Sequence, residues 1–363
     1  MADVLPGAVL VQVNLSPSDS QSGGKPGDVA FWNCVLRVGG SKDSLVTEKC
    51  RAPGAEPKDC KAAFALLHLT PTSSVYLEDV WGWVADHVLD DVAGPGENIA
   101  VGRGALIESN GGGGGGGRGT WLVGTSFEHA VLYQYGLRGA KAVYIGMQQT
   151  EAPYWQGVGT PVKAPGPWEG EEDGKGWGDP GFGNCKGVGN QEDDERCYRA
   201  WGMYMSGSED VVIHGSALWS FFNGMDDNAF SDPQCMVTDG ICQKNMAFVE
   251  GAKRTWWFSA SSKSAENLIW DETQAGGGGD GNSVAVTTQK DNLGGWGAVV
   301  AAYLRNSGDG ASGGGGGGGG SSSGSGSVGG GGDGDEGSKG EKRVMVSGIG
   351  LAVVAYGILY TLI

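Results

Sequence analysis

The stretch TWLVGTSFEHAVLYQYGLRGAKAVYIGMQQTE, residues 120–151, decides the fold reading of the chain. Its apolar runs are short, rich in β-branched and aromatic residues, and broken by Gly and small polar residues, as strands are. Two of them, VLYQY and VYIGM, begin 12 residues apart, at Val131 and Val143. The acids Glu128 and Glu151 stand 23 apart, roughly the length of one turn in a large parallel β-helix, which grows coil by coil. One turn returns the backbone to within about 5 Å of its start. The spacing therefore predicts two carboxyls on stacked neighbouring strands, their side chains splayed a few Å further apart.

Working outward, similar runs recur at 9–13, 75–84, 210–215, 218–222, 254–260 and 267–270, separated by Gly, Asn, Asp and Ser. No long amphipathic helical pattern interrupts them. Many short strands suit a sandwich, a barrel or a β-solenoid, and the 23-residue spacing favours the solenoid over residues 1–305. Residues 306–343 are a Gly/Ser/Asp-rich linker that cannot bury enough apolar surface to order itself. Gly is abundant, at 71 of 363 residues, but much of it lies in runs such as 111–117 and 313–320.

Acids outnumber bases 42 to 25, for a net charge of −17. No basic surface is available to neutralise phosphates, which excludes nucleic acid as a partner. Seven cysteines include three close pairs, Cys50 with Cys60, Cys185 with Cys197, and Cys235 with Cys242. These read as disulfides of an oxidising compartment, with Cys34 left over as a buried thiol. No C-x-x-C occurs and the four His are scattered, so neither a metal centre nor a cofactor is expected.

The last 20 residues, VMVSGIGLAVVAYGILYTLI (344–363), follow Lys342, Arg343 and a polar spacer with small residues near Gly332–Gly334. That order reads as a lipid-anchor signal, with a retained membrane span as the alternative. The expected location is the cell surface. The N-terminus lacks the basic and cleavable features of a signal peptide, so the true beginning of the protein is expected upstream.

Chemistry concentrates in GMQQTEAPYWQ (146–156), where an acid stands among amides and aromatic rings. A carboxyl beside Tyr154 and Trp155 is partly desolvated, and desolvation favours the protonated form that a general acid needs. Gln148, Gln149 and Gln156 are available to sugar hydroxyls. Asp86 and His87 read equally well as sugar contacts or loop braces. Trp201, Trp219, Phe221 and Phe222 read as core or ladder residues, and Glu108 as structural.

Several of these words, in order, resemble glycoside hydrolase family 55, fungal and bacterial enzymes acting on β-1,3-glucan. They are LLHLTPTSSVYLEDVWGWVADHVLDD (66–91), GRGALIES (102–109), TWLVGTSFEHAVLYQY (120–135), GMQQTEAPYWQ (146–156) and CYRAWGMYMSGSEDVVIHGSALWSFF (197–222). The resemblance spans residues 1–305 and covers the second of the family's two right-handed parallel β-helices, a pectate-lyase-like solenoid. It implies release of sugar from the non-reducing end with inversion. It also implies Glu151 as general acid, Glu128 as the carboxylate positioning water, and Tyr154, Trp81, Trp83, Trp155, Gln149 and His129 as substrate contacts. Phe127 departs from the family's pattern, in which that place is usually held by a small residue. A non-catalytic wall protein that binds β-glucan is the alternative, and pectin-lyase or polygalacturonase chemistry lacks its acidic or basic clusters here.

Overall fold

The computed structural model describes residues 8–14, 29–52, 54–91, 96–110, 119–156, 178–180, 182, 185, 195–220, 242–272 and 297–305. They belong to one compact unit, Met1–Gly310. The linker, the hydrophobic tail, Phe221, Phe222 and Cys235 lie outside the described residues. Among those described, no helix is long and apolar enough to cross a membrane.

Among the described residues, fourteen strands alternate between two seven-stranded sheets. The first holds β1 (Val9–Val13), β3 (Lys61–Leu69), β5 (Ala100–Ile107), β7 (Tyr133–Arg138), β9 (Trp201–Ser206), β11 (Gln243–Glu250) and β13 (Ala265–Asp271), in that order. The second holds β2 (Val29–Val38), β4 (Val75–Val84), β6 (Thr120–Glu128), β8 (Lys141–Glu151), β10 (Glu209–Trp219), β12 (Lys253–Lys263) and β14 (Gly297–Arg305). Each pass of the chain thus adds one strand to each sheet, a β-helix-like winding. Neighbours are parallel, except that β14 runs antiparallel to β12. The one α-helix among the described residues, α1 (Leu45–Cys50), is capped by the Ser44 side chain accepting from the Thr47 N–H.

The second sheet is bent along a column of left-handed residues. Asn33, Asp79, Gly124, Met147, Gly215 and Ser259 all have positive φ and occupy matching places in six successive strands. Pairing skips them: Val123 partners Gly146 and Thr125 partners Gln148, leaving Gly124 and Met147 out. Each shifts side-chain alternation by one residue, so in β8 Val143 and Ile145 point inward before it and Gln148 and Thr150 after it. Strict period-2 alternation would have turned the second half of every strand inside out. A non-Gly residue pays roughly 1–2 kcal/mol in this conformation. Gly124→Ala should therefore lower the unfolding free energy by about that much, the more so because a Cβ there meets Asp79 Oδ1 at 2.8 Å. Met147→Gly should change stability in the opposite direction, and denaturant titration of both variants reads the two signs.

Between the sheets lies the main core, including Leu67, Leu77, Leu122, Ile145, Ile213, Trp257 and Ile269. A second cluster, with Phe64, Tyr133, Trp201 and Tyr204 and with Phe182 and Phe248 against it, involves the odd-numbered strands. Burial on both faces explains why β3 and β5 are buried almost end to end and read as Ala- and Gly-containing runs rather than alternating strands.

Disulfides join Cys50 to Cys60 and Cys185 to Cys197. Cys242 is also disulfide-bonded, while its expected partner Cys235 lies outside the described residues. Cys34 is free but only half-buried, contrary to the expectation of a buried thiol: it lies opposite buried Val80 and packs against the core, but β2 is the end strand of its sheet among the described residues.

Candidate active site

The 23-residue spacing becomes direct register. Glu128, at the end of β6, pairs with Glu151, at the end of β8. The row continues to Trp83 on β4 and Trp219 on β10. Two residues earlier in the strands, a parallel row runs Trp81, Ser126, Gln149, Ala217. Period-2 geometry puts both rows on one face, and neighbouring strands sit about 4.8 Å apart.

Glu128 is 8 % exposed. Trp81 Nε1 donates to its Oε2 at 2.9 Å, and its Oε1 lies 2.7 Å from Ser126 Oγ. The Ser126 hydroxyl is also bonded to Gln149 Oε1. An amide oxygen only accepts, and a hydroxyl has one proton to give. Both contacts are satisfied together when Glu128 supplies the proton between itself and Ser126. Burial, reinforced by the Glu151 charge, agrees, pushing the Glu128 carboxyl up from 4.5 to about 7.

Glu151 is held from three sides. Tyr154 OH donates to Oε2 at 2.9 Å, Gln149 Nε2 reaches Oε1 at 3.4 Å, and His129 Nε2 lies 3.4 Å from Oε2. His129 is 5 % exposed, and its Nδ1 bonds the Val84 carbonyl at 2.9 Å. Burial opposes charge on this imidazole, but contact with Glu151 and the fields of Asp86, Glu151 and Glu128 outweigh it and carry its pKa to about 9. Asp86 bonds His87 Nδ1 at 3.0 Å. It shares a small pocket with Glu97, His129, Pro153 and Tyr154.

The expected substrate contacts divide. Trp81 is partly buried and Gln149 half-buried, both on the outward rows. Trp83 and Tyr154 are buried, at 3 % and 6 % exposure. Trp83 stacks on Trp81 with centroids 4.9 Å apart, and Tyr154 spends its hydroxyl on Glu151. The Trp155 side chain lies outside the description. Gln148 turns inward to Ser216, and Gln156 to backbone groups at Val131 and Ala200. Phe127 does not intrude on the site. Its ring fills the space beside Gly82, where a Cβ would approach Phe127 Cδ1 at 2.2 Å. Glu108 pairs with His68 and Arg138.

Ser126 was passed over in the sequence analysis, and Trp219, read there as a core or ladder residue, stands opposite Glu151. The available signal was the repeated offset, Ser126 two before Glu128 and Gln149 two before Glu151, at the same 23-residue spacing.

These shifts fix a pH dependence. Between pH 4.5 and about 7 folded Glu128 holds a proton that the unfolded chain has lost, and His129 does the same between 6.5 and about 9. Where the folded state binds more protons, stability falls as pH rises. The melting temperature should therefore decline across this range. Glu128→Gln should flatten the part between pH 4.5 and 7, measured by thermal unfolding in matched buffers.

No protein-family model matches the chain. Similarity to curated proteins is extensive. The chain is 36 % identical over 271 residues to a probable glucan endo-1,3-β-glucosidase of Arthroderma benhamiae, covering 73 % of this chain and 27 % of that protein. It is 42 % identical over 212 residues to a non-secreted LysM effector of Penicillium expansum, covering 58 % and 13 %. A glucan endo-1,3-β-glucosidase of Trichoderma harzianum is 30 % identical over 306 residues, covering 83 % and 35 %. The chain thus spans about a third, or less, of the length of these relatives. By this similarity it belongs with the glucan 1,3-β-glucosidase family.

Proposed function

We propose that this chain carries the paired carboxyls of a β-1,3-glucan hydrolase on a right-handed, pectate-lyase-like parallel β-helix. The observation that carries the reading is the in-register pair Glu128 and Glu151, flanked in the same row by Trp83 and Trp219, in a chain related to named glucan 1,3-β-glucosidases. Glycoside hydrolysis needs one carboxyl to protonate the leaving oxygen and a second to serve water or the anomeric carbon. Glu151 is the donor in this reading and Glu128 positions the water. His129, Tyr154 and Gln149 orient Glu151; Trp81 and Ser126 orient Glu128.

One observation favours a second reading with the roles exchanged: the unliganded site leaves the proton on Glu128. The carboxyl separation bears on stereochemistry. One oxygen of each lies within 4.8 Å of the other, which sets the two carboxyls side by side; retaining pairs stand roughly 5–5.5 Å apart and inverting ones 6.5–9.5 Å.

Incubation with β-1,3-gluco-oligosaccharides, followed by NMR of the first product, tests these points. Early glucose with the α-anomer first supports exo-cleavage with inversion, and β-anomer first establishes retention. A spread of oligosaccharides gives the endo action named for two relatives. Retained binding without products makes the chain a glucan-binding protein. Cell-surface attachment directed by residues 344–363 belongs to the same proposal: release by a phosphoinositide-specific phospholipase would show a lipid anchor replacing the tail, and no release a retained span.

A further inference from the structure

We propose that Glu128, His129 and Glu151 form a three-ligand site for a divalent transition-metal cation, with Zn²⁺ the best fit. A carboxylate oxygen from each Glu and one ring nitrogen of His129 lie within 4.8 Å of one another. The imidazole is the independent pointer. Its Nδ1 is committed to the Val84 carbonyl, which leaves Nε2 as the ligand atom. Nε2 is buried, makes no hydrogen bond of good geometry, and faces Glu151 Oε2 at 3.4 Å. Zinc bonds of about 2.0–2.2 Å in a tetrahedron give ligand–ligand edges of about 3.3–3.6 Å, so the His129–Glu151 edge is already in place. Glu128 needs to close by at most about 1.5 Å on the same reckoning.

Outer groups are present as well. A metal-ligating His gives its other N–H to a carbonyl or carboxylate, and ligating carboxylates accept hydrogen bonds of their own. Val84 O serves His129, Trp81 serves Glu128, and Tyr154 and Gln149 serve Glu151. Binding displaces the protons that Glu128 and His129 hold in the free protein, after which two carboxylates and a neutral imidazole balance a 2+ ion. The mixed nitrogen and oxygen set suits zinc better than magnesium or calcium, which prefer oxygen alone. Glu151, with its side chain 22 % exposed, gives the ion its way in.

Occupation removes both carboxyls from glycoside chemistry, a consequence that rests on the proposed hydrolase reading. The ion site itself does not. The test is isothermal titration of the full chain with ZnCl₂ in a weakly coordinating buffer, with melting temperatures confirming that each variant folds. One ion per chain is expected. His129→Gln and Glu151→Gln should each weaken binding by at least tenfold, while His87→Gln leaves it unchanged. No binding at one equivalent, or equal binding by folded His129→Gln, overturns the proposal. A hydrolytically inactive wild type that still binds zinc through His129 would remove the hydrolase reading and leave the ion site standing.

Discussion

Glu151→Gln is expected to lower kcat on β-1,3-glucan by about 10²–10⁴, the usual contribution of a general acid, while sparing much of the hydrolysis of a dinitrophenyl β-glucoside. Dinitrophenolate leaves without a proton, so that substrate does not need the acid. Gln keeps the size of Glu and can still accept from Tyr154 OH, which now bonds Oε2 at 2.9 Å. Glu128→Gln should depress both substrates together, because a water that is not positioned attacks neither. The exchanged pattern, with Glu128→Gln rescued by the activated substrate, would assign the acid to Glu128. That assignment has a physical basis, since Glu128 is the more buried carboxyl and holds its proton up to about pH 7. Activity should fall above that pH if Glu128 is the acid, and should rise through it if Glu128 works as a carboxylate.

Asp271→Ala should destabilise the fold by about 3–5 kcal/mol, the range for removing one partner of a buried ion pair. Asp271 closes β13 at 1 % exposure. It receives Arg305 Nη2 at 2.6 Å and Tyr303 OH at 2.6 Å, both from β14. Among the described residues, these bonds tie the last strand of one sheet to the last strand of the other. Removing the carboxylate leaves Arg305, 6 % exposed, as a buried charge without its counterion. Arg305→Met with Asp271→Leu should recover most of the loss, because apolar replacement of a whole buried pair is often neutral. Denaturant unfolding of the single and double variants measures both. An Asp271→Ala loss below about 1 kcal/mol, typical of an exposed pair, would show that the pair does not hold this end.

Much of this architecture was legible in the sequence, and the exceptions have causes. The 23-residue spacing of Glu128 and Glu151 gave the neighbouring strands because a coil fixes how many residues separate stacked positions. VYLEDVWGWV could be read as a strand because one face meets solvent. KAAFALLHL and AVGRGALI escaped notice as strands because both faces are covered, so alternation disappears. The left-handed column was invisible for a different reason: Asn, Asp, Gly, Met and Ser share no side-chain signature, and only their alignment in space reveals it. At the site, the residue types were legible but not their orientation. Tyr154 looked like a platform for sugar because it follows the acid by three. Its hydroxyl lies on Glu151 instead, a detail set by the turn after β8.

The central claim is that Glu128 and Glu151 act together to hydrolyse β-1,3-glucan. Its most direct test compares sugar release from a β-1,3-gluco-oligosaccharide by the wild-type chain and by the Glu128→Gln/Glu151→Gln double variant. Melting temperatures and oligosaccharide binding are recorded beside each. The account predicts turnover by the wild type that falls to background in a folded, glucan-binding double variant. Equal release by both, or none by a folded wild type, would contradict it.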